Sequence, residues 1–271
     1  LATWKLMRAV SDAGFKCVIS GDGADEALGG YPTYFAHQMA APAAPARHLL
    51  RRALKYLPVD MGGVSRDYMA KRFVDGLGQP WQRRHQIWMG AWLPSEMKAA
   101  EEVWCRFDQI ANEAGNNPIA RAMHLDQRTY LPDRVLVKVD RSAGAHGIEV
   151  RSPFMDHSVV ELCAQMGTGH HLRPNQTKRV LRQAMAGELP KPTLTRKKKG
   201  FGSPVGPWLK GPGAHLLQDL PELMSGWIPP ETMNRCIDEH RTGQVDHRRR
   251  LWSALVLGLW LQGPHGPKAS R

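Results

Sequence analysis

Cysteine is scarce: four in 271 residues, with no CxxC pair and no metal-ligand spacing, which excludes a disulfide-stapled or zinc-stapled scaffold. Cys17, Cys105, Cys163 and Cys236 lie far apart and, with no export signal in view, are expected to be reduced core residues. Long apolar runs are missing too. The nearest, Leu251 to Leu261, falls short of the roughly 18 residues a membrane span needs and follows an arginine run. No leader pattern is visible; the chain opens on Leu1 and enters an amphipathic stretch at once, as a cut inside a domain would. Internal repeats are absent. Aromatic residues, 7% of the chain, do not alternate with basic ones as in a single-strand binding groove, and no helix-turn-helix, RNP or zinc-finger spacing occurs.

What is present is ordinary for a soluble globular protein: 42% hydrophobic and 23% charged residues, enough for one large domain or two small ones. Basic residues outnumber acidic ones 37 to 25, giving a net charge of +12 and raising the question of an anionic partner. The cations fall in runs at Arg47 to Lys55, Arg83-Arg84, Arg196 to Lys199 and Arg248 to Arg250. A solvated face is the expected role for these runs, Arg196 to Lys199 excepted. Nucleic-acid binding is therefore the minor reading.

Thr3 to Gly14 predicts a helix, with Trp4, Leu6, Met7 and Val10 near one face and Gly14 as a C-cap. Phe15 to Ile19 predicts a short buried strand. It stops at Ser20-Gly21-Asp22-Gly23-Ala24-Asp25-Glu26, and a helical pattern resumes. Helix, strand, glycine-acid loop and helix is the rhythm of a parallel α/β sheet, whose ligands sit beyond the carboxyl ends of the strands. Beyond about Tyr31 the pattern is helical: Ala46 to Tyr56, Trp81 to Trp92, Ser95 to Ala114 with Ser95 as N-cap, Pro118 to Tyr130 and Arg134 to Ala145. Asp156 to Met166, Thr177 to Ala186 and Arg248 to Leu261 continue it, with joins at Pro132, Pro153, Pro190-Lys191-Pro192, Gly211-Pro212 and Pro229-Pro230. One strand among so many helices does not complete an α/β domain, so the remaining strands are expected upstream. The tail from Gly263 to Arg271 is expected to fray.

Three segments carry chemistry. In the first, Gly21 and Gly23 let backbone N–H groups approach an anion, and a helix N-terminus follows. Yet Asp22, Asp25 and Glu26 crowd the same turn and would repel one another, which suits a nucleotide phosphate carried with Mg²⁺. A turn with helix-capping acids accounts for the loop equally well. The second runs from Tyr130-Leu131-Pro132-Asp133 through Lys138, Asp140 and Arg141 to Glu149-Val150-Arg151-Ser152-Pro153-Phe154-Met155-Asp156-His157. Its charges alternate in sign within an apolar run, so a structural ion-pair network explains most of them, Asp140 least. The third, Thr195 to Pro204, sets four consecutive cations before Gly200-Phe201-Gly202. It would neutralise a leaving pyrophosphate, or simply lie in solvent.

Taken in order, Ser-Gly-Asp-Gly-x-Asp-Glu-x-x-Gly-Gly-Tyr, Tyr-Leu-Pro-Asp-x-x-Leu-x-Lys-x-Asp-Arg, Glu-x-Arg-x-Pro-Phe-x-Asp-His and Lys-x-Gly-Phe-Gly-x-Pro resemble the synthetase domain of asparagine synthetase B, the glutamine-hydrolysing family. The ending, Asp246-His247-Arg248 through Leu261, is similar to that family's last helix. The resemblance implies an α/β, adenine-nucleotide α-hydrolase-like fold of the ATP-pyrophosphatase type, of which residues 1–262 form the C-terminal, mostly helical portion. It implies ATP-dependent conversion of aspartate to asparagine through β-aspartyl-AMP, with Mg²⁺, and with ammonia released from glutamine by an N-terminal glutaminase domain. By the same resemblance Ser20 and Gly21 contact the nucleotide, Asp25 holds Mg²⁺ and Asp22 is the catalytic carboxylate. Lys198 stabilises transition-state charge, with Lys197 and Lys199 as alternative registers, and Asp140 faces the aspartate pocket. A homodimer is compatible with it, and a cytoplasmic location is expected from ATP use and the missing export signal. Ala24 stands where the family often has glycine. The family's Ser-Gly-Gly-x-Asp-Ser pyrophosphate loop and N-terminal cysteine do not occur in these 271 residues, so the chain alone is expected to be inactive. A sister amidoligase, such as a β-lactam synthetase or a peptide cyclase, and a non-catalytic basic binding remnant are the alternatives.

Overall fold

Twenty prolines and 26 glycines cut the helical pattern into short pieces. The computed structural model describes residues 1–56, 66–98, 101–173, 176–196 and 203–263. Its elements begin with α1 (Ala2–Asp12), β1 (Cys17–Ile19), α2 (Ala24–Leu28), α3 (Pro32–Ala43), α4 (Arg47–Ala53), α5 (Arg66–Gly76), α6 (Trp81–Met89) and α7 (Glu101–Asn112). There follow α8 (Pro118–Arg128), α9 (Val137–Gly144), β2 (Glu149–Arg151), α10 (His157–Gln165), α11 (Thr168–His171), α12 (Arg179–Ala184) and α13 (Lys191–Thr195). The last are α14 (Val205–Lys210), α15 (Leu220–Leu223), α16 (Pro230–Thr242) and α17 (Arg248–Gln262). The architecture is α/β, mostly helical, with a small parallel sheet. It divides into two compact units, Leu1–Ala41 with Arg106–Ser203 and Pro42–Cys105 with Pro204–Arg271.

In the first unit β1 and β2 pair in parallel, Val18 opposite Val150 and Ile19 opposite Arg151. Side chains alternate between the faces of so short a sheet. Val18 and Val150 pack with Val10 against Met7, Ala143 and Ile148. Cys17, Ile19, Glu149 and Arg151 take the other face, and Ile19 is 80% exposed. The strand expected to be buried is thus buried on one side only. The second strand lies downstream of β1, in a stretch whose alternating charges masked it. Between α8 and α9 the helix widens into a π-helical segment, Leu131–Leu136. Pro132 lacks an N–H, and its ring would meet the carbonyl of Arg128 in a regular α-helix, which accounts for the wider turn. Asn117 caps α8, its Oδ1 accepting from Ile119 N (2.9 Å) and Ala120 N (3.1 Å), with Pro118 at the first helical position.

The second unit is built on an apolar core in which Leu209, Leu220, Met224, Met233, Cys236 and Leu251 are 0–1% exposed. Pro229-Pro230, expected as a join, opens α16 at its first position, and Gly243 closes that helix in the left-handed conformation (φ +80°). Ser95 does not cap a helix. It sits in a 3-10 turn, Pro94–Glu96, where the Glu96 carboxylate accepts from Leu93 N (3.0 Å) and pairs with Arg250 (2.8 Å).

Two expectations need correction here. Cys163 and Cys236 are buried, whereas Cys17 and Cys105 are exposed; all four are free. The run Arg248 to Arg250 is half-buried rather than solvated. Arg248 pairs with Asp246, Arg249 donates to Met89 O (2.7 Å), and Arg250 lies over the Trp92 ring (5.4 Å). Arg83 likewise lies over Trp104 (4.4 Å) and Arg84 over Trp88 (5.6 Å). Planar guanidinium groups stack on aromatic faces, and that is what draws these runs inward. No helix among the described residues is long and apolar enough to cross a membrane. The tail expected to fray lies, from residue 264, outside the described residues.

Candidate active site

The parallel ladder continues one residue past β1: Ser20 N donates to Arg151 O (2.8 Å). This places the glycine-acid loop at the carboxyl ends of both strands, where α/β sheets bind ligands. Ser20 Oγ donates to Asp22 Oδ2 (2.5 Å), and Asp22 N donates back to Ser20 Oγ (3.3 Å). The two side chains thereby form a local turn with the Asp22 carboxylate held by a hydroxyl. Gly21 is exposed, with nothing within 4 Å of where a Cβ would stand, so its backbone is open to a ligand. Gly23 is required twice over: φ is +85°, and a Cβ there would come within 2.7 Å of Met155 Cγ.

The three carboxylates expected to crowd this turn point three different ways. Asp22 is held by Ser20. Asp25, in the first turn of α2, pairs through Oδ1 with Lys178 Nζ at 3.0 Å. Glu26 is 1% exposed and accepts a hydrogen bond from Tyr31 Oη (2.7 Å). Burial pushes the Glu26 carboxyl above its ordinary range, against the lowering effect of that bond. Glu26 therefore belongs to the interior. The helix dipole expected behind the loop is a small term as well, because α2 has only five residues.

Lys178 was not signalled by any motif. It is the one non-glycine residue with positive φ (+52°) among the described residues, a strained conformation of the kind that persists where surroundings over-determine it. Its ion pair with Asp25 leaves no room at Gly30, where a Cβ would lie 1.8 Å from Asp25 Oδ1 and 2.7 Å from Lys178 Cε.

Asp140 stands on α9 with its side chain 77% exposed and Arg141 Nε 3.9 Å away. It lines an open cavity of about 780 Å³ together with Glu149, Arg151, Ser152, Met155 and Asp156. Met155 joins the two halves of the site, since it also packs against Gly23. Glu149 and Arg151 pair with each other (2.9 Å) at 61% and 69% side-chain exposure, a surface ion pair and not a buried network. That pairing holds the Glu149 carboxyl below its usual range. Lys197, Lys198 and Lys199, with Gly200-Phe201-Gly202, lie outside the described residues.

Among the described residues, no three His, Cys, Asp or Glu side chains gather as a ready-made metal site. Mg²⁺ is commonly held by one or two carboxylates with substrate phosphates and water completing its shell. Asp25, a carboxylate beside an open glycine loop, fits that requirement.

A parallel strand pair, an acid-bearing glycine loop at its carboxyl ends and a large cavity along β2 and α9 make the first unit an α/β one. The family is more specific: a model described as asparagine synthase matches residues 1–262, and the chain belongs to that family. A putative asparagine synthetase (glutamine-hydrolyzing) of Mycobacterium tuberculosis is 32% identical over 258 residues, covering 90% of this chain and 39% of that protein. Asparagine synthetase (glutamine-hydrolyzing) 1 of Bacillus subtilis is 23% identical over 255 residues, covering 89% and 39%. The chain thus spans about two fifths of the length of these curated relatives.

Proposed function

We propose that the chain is the C-terminal portion of an asparagine synthetase domain of the ATP-pyrophosphatase type, acting within a longer protein. The reaction is the ATP-dependent conversion of aspartate to asparagine with ammonia drawn from glutamine. A side-chain carboxylate oxygen of aspartate attacks the α-phosphorus of ATP and expels pyrophosphate, giving β-aspartyl-AMP. Ammonia then attacks the acyl carbon, loses a proton, and AMP leaves with the bridging oxygen. The observation that carries this reading is the Ser20–Asp22 turn at the strand ends, next to the cavity lined by Asp140.

In this scheme Ser20 and the open backbone at Gly21 hold the nucleotide. Asp22, oriented by the Ser20 hydroxyl, takes the proton from the attacking ammonia. Asp140 faces the amino-acid side of the cavity, and Lys198 carries positive charge to the departing phosphates. Asp25 would hold Mg²⁺, which would supply charge neutralisation at the pyrophosphate. Lys178 keeps the Asp25 carboxylate in place.

The test is a screen of carboxylates with the longer protein. Aspartate-dependent formation of AMP and pyrophosphate, with asparagine as the amide product, supports the reading. Adenylation of a different carboxylate with an internal amine as acceptor points instead to a sister amidoligase. Salt-sensitive nucleic-acid binding with no AMP formed points to a binding remnant.

A further inference from the structure

The second unit holds a charged cavity that the proposed reaction does not use. About 240 Å³ in volume, it is lined by Asp67, Tyr68, Lys71, Arg72, Arg249 and Arg250, with Asp75 and Asp246 also in its wall. Most of these charges are matched. Lys71 pairs with Asp67 (3.4 Å), Arg250 with Glu96 (2.8 Å), Asp75 with Arg51 (3.6 Å) and Asp246 with Arg248.

Arg72 and Arg249 are left over. Arg72 is 9% exposed; one terminal nitrogen donates to Gly90 O, and its Nε has no acceptor among the described residues. Arg249 donates to Met89 O (2.7 Å) and to Tyr68 Oη (3.1 Å), both neutral. Neither has a carboxylate within ion-pair distance among the described residues. An arginine does not shed its proton, so both stay cationic at one small cavity, and the acid that acts on Arg72, Asp75, is shared with Arg51. Burial above all, with the nearness of Arg249 and Arg250, pulls the Arg72 pKa down against the raising effect of Tyr68 and Asp75.

We propose that this cavity is a binding site for a compact phosphate-like dianion, held by the guanidinium groups of Arg72 and Arg249. The planar fork of arginine matches tetrahedral oxyanions in bidentate fashion, and the Tyr68 hydroxyl adds a third polar group at the same wall. The volume suits inorganic phosphate or pyrophosphate and is too small for a nucleotide. The site stands on residues of the second unit alone and is independent of the chemistry assigned to the first.

The experiment is calorimetric titration of inorganic phosphate into the longer protein at low ionic strength, with chloride matched and Asp22→Asn as a second background. Binding to this site persists in Asp22→Asn and weakens about tenfold or more in Arg249→Gln. Arg249→Lys, which keeps the charge without the fork, falls between. Should the arginine variants fail to fold, Tyr68→Phe keeps the ring under Arg249 and removes one polar contact, and phosphate affinity drops a few-fold. Equal phosphate affinity in wild type, Arg249→Gln and Tyr68→Phe would overturn the proposal. So would an absence of phosphate binding above the chloride control, or binding of succinate with none of phosphate.

Discussion

Around the strand ends of the first unit, ionic side chains stand in the open: Asp140 is 77% exposed, and Arg151 69%. In the second unit the comparable groups are shut in, with Asp246 at 5%, His247 at 8% and Arg250 at 17% side-chain exposure. An exposed carboxylate stays charged at little cost and can meet a substrate. A buried charge persists only where partners offset its desolvation. The contrast separates side chains placed for chemistry from side chains placed for cohesion. It also marks Arg72, buried, and Arg249, half-buried, as exceptions in the second unit, neither of them in an ion pair among the described residues.

Substitutions on either side can break this contrast. The largest effect is expected at Asp22: Asp22→Asn in the longer protein should lower kcat/KM for asparagine formation by about 10² to 10⁴, the usual reach of a positioned proton acceptor, with the thermal midpoint barely moved. Next comes the core of the second unit. Leu251 is 0% exposed, and Leu251→Ala should cost about 2–5 kcal/mol in urea unfolding, chiefly through the cavity it leaves. Lys178→Met sharpens the assignment of Asp25. We expect KM for ATP to rise about tenfold, equivalent to ~1.4 kcal/mol, with kcat less affected.

Buried histidines and a buried carboxyl respond to acid in opposite directions. Burial lowers the pKa of His240 and His247 below the ordinary 6.5. His240 Nδ1 accepts from His247 N (3.3 Å) while its Nε2 donates to Gly206 O (3.1 Å), an arrangement that needs the neutral ring. Between the folded and unfolded values the unfolded chain binds more protons. This contribution to stability is therefore whole above pH 6.5 and lost as pH falls below it. Glu26 acts in the opposite direction. Its pKa is raised above 4.5, so its contribution is whole below that pH and lost as pH rises through the folded value. Urea midpoints measured from pH 8 to 5 should fall with acidification, and less so in His240→Gln. The smallest effect is expected for Arg151→Ala, which should leave the urea midpoint unchanged, because its pair with Glu149 is solvent-exposed.

Much of the site's frame was legible because it rests on local signals. A β-rich run that ends in alternating glycines and acids has few alternatives, and it does form β1, the loop and α2 where expected. What escaped is non-local. Glu149-Val150-Arg151 gives a strand only because β1 stands beside it, and three residues carry too little pattern to say so. Lys178 meets Asp25 across 153 positions of sequence, and nothing in Thr177-Lys178-Arg179 marks it. The arginine run before Leu251 resembles a solvated face until the Tyr68 and Trp92 rings, distant in sequence, are placed against it. One signal was available and passed over: Pro230 followed by Gly243 is the proline-start, glycine-stop signature of α16.

The most direct test of the central claim, that the strand-end site joins the side-chain carboxylate of aspartate to AMP, is an oxygen-isotope transfer. Aspartate carrying ¹⁸O in its side-chain carboxylate is converted by the longer protein with ATP and glutamine, and the products are weighed by mass spectrometry. Because the bridging oxygen leaves with AMP when ammonia attacks the acyl carbon, the account predicts one ¹⁸O in AMP and none in pyrophosphate. Label in inorganic phosphate, or asparagine formed with no label in AMP, would contradict it.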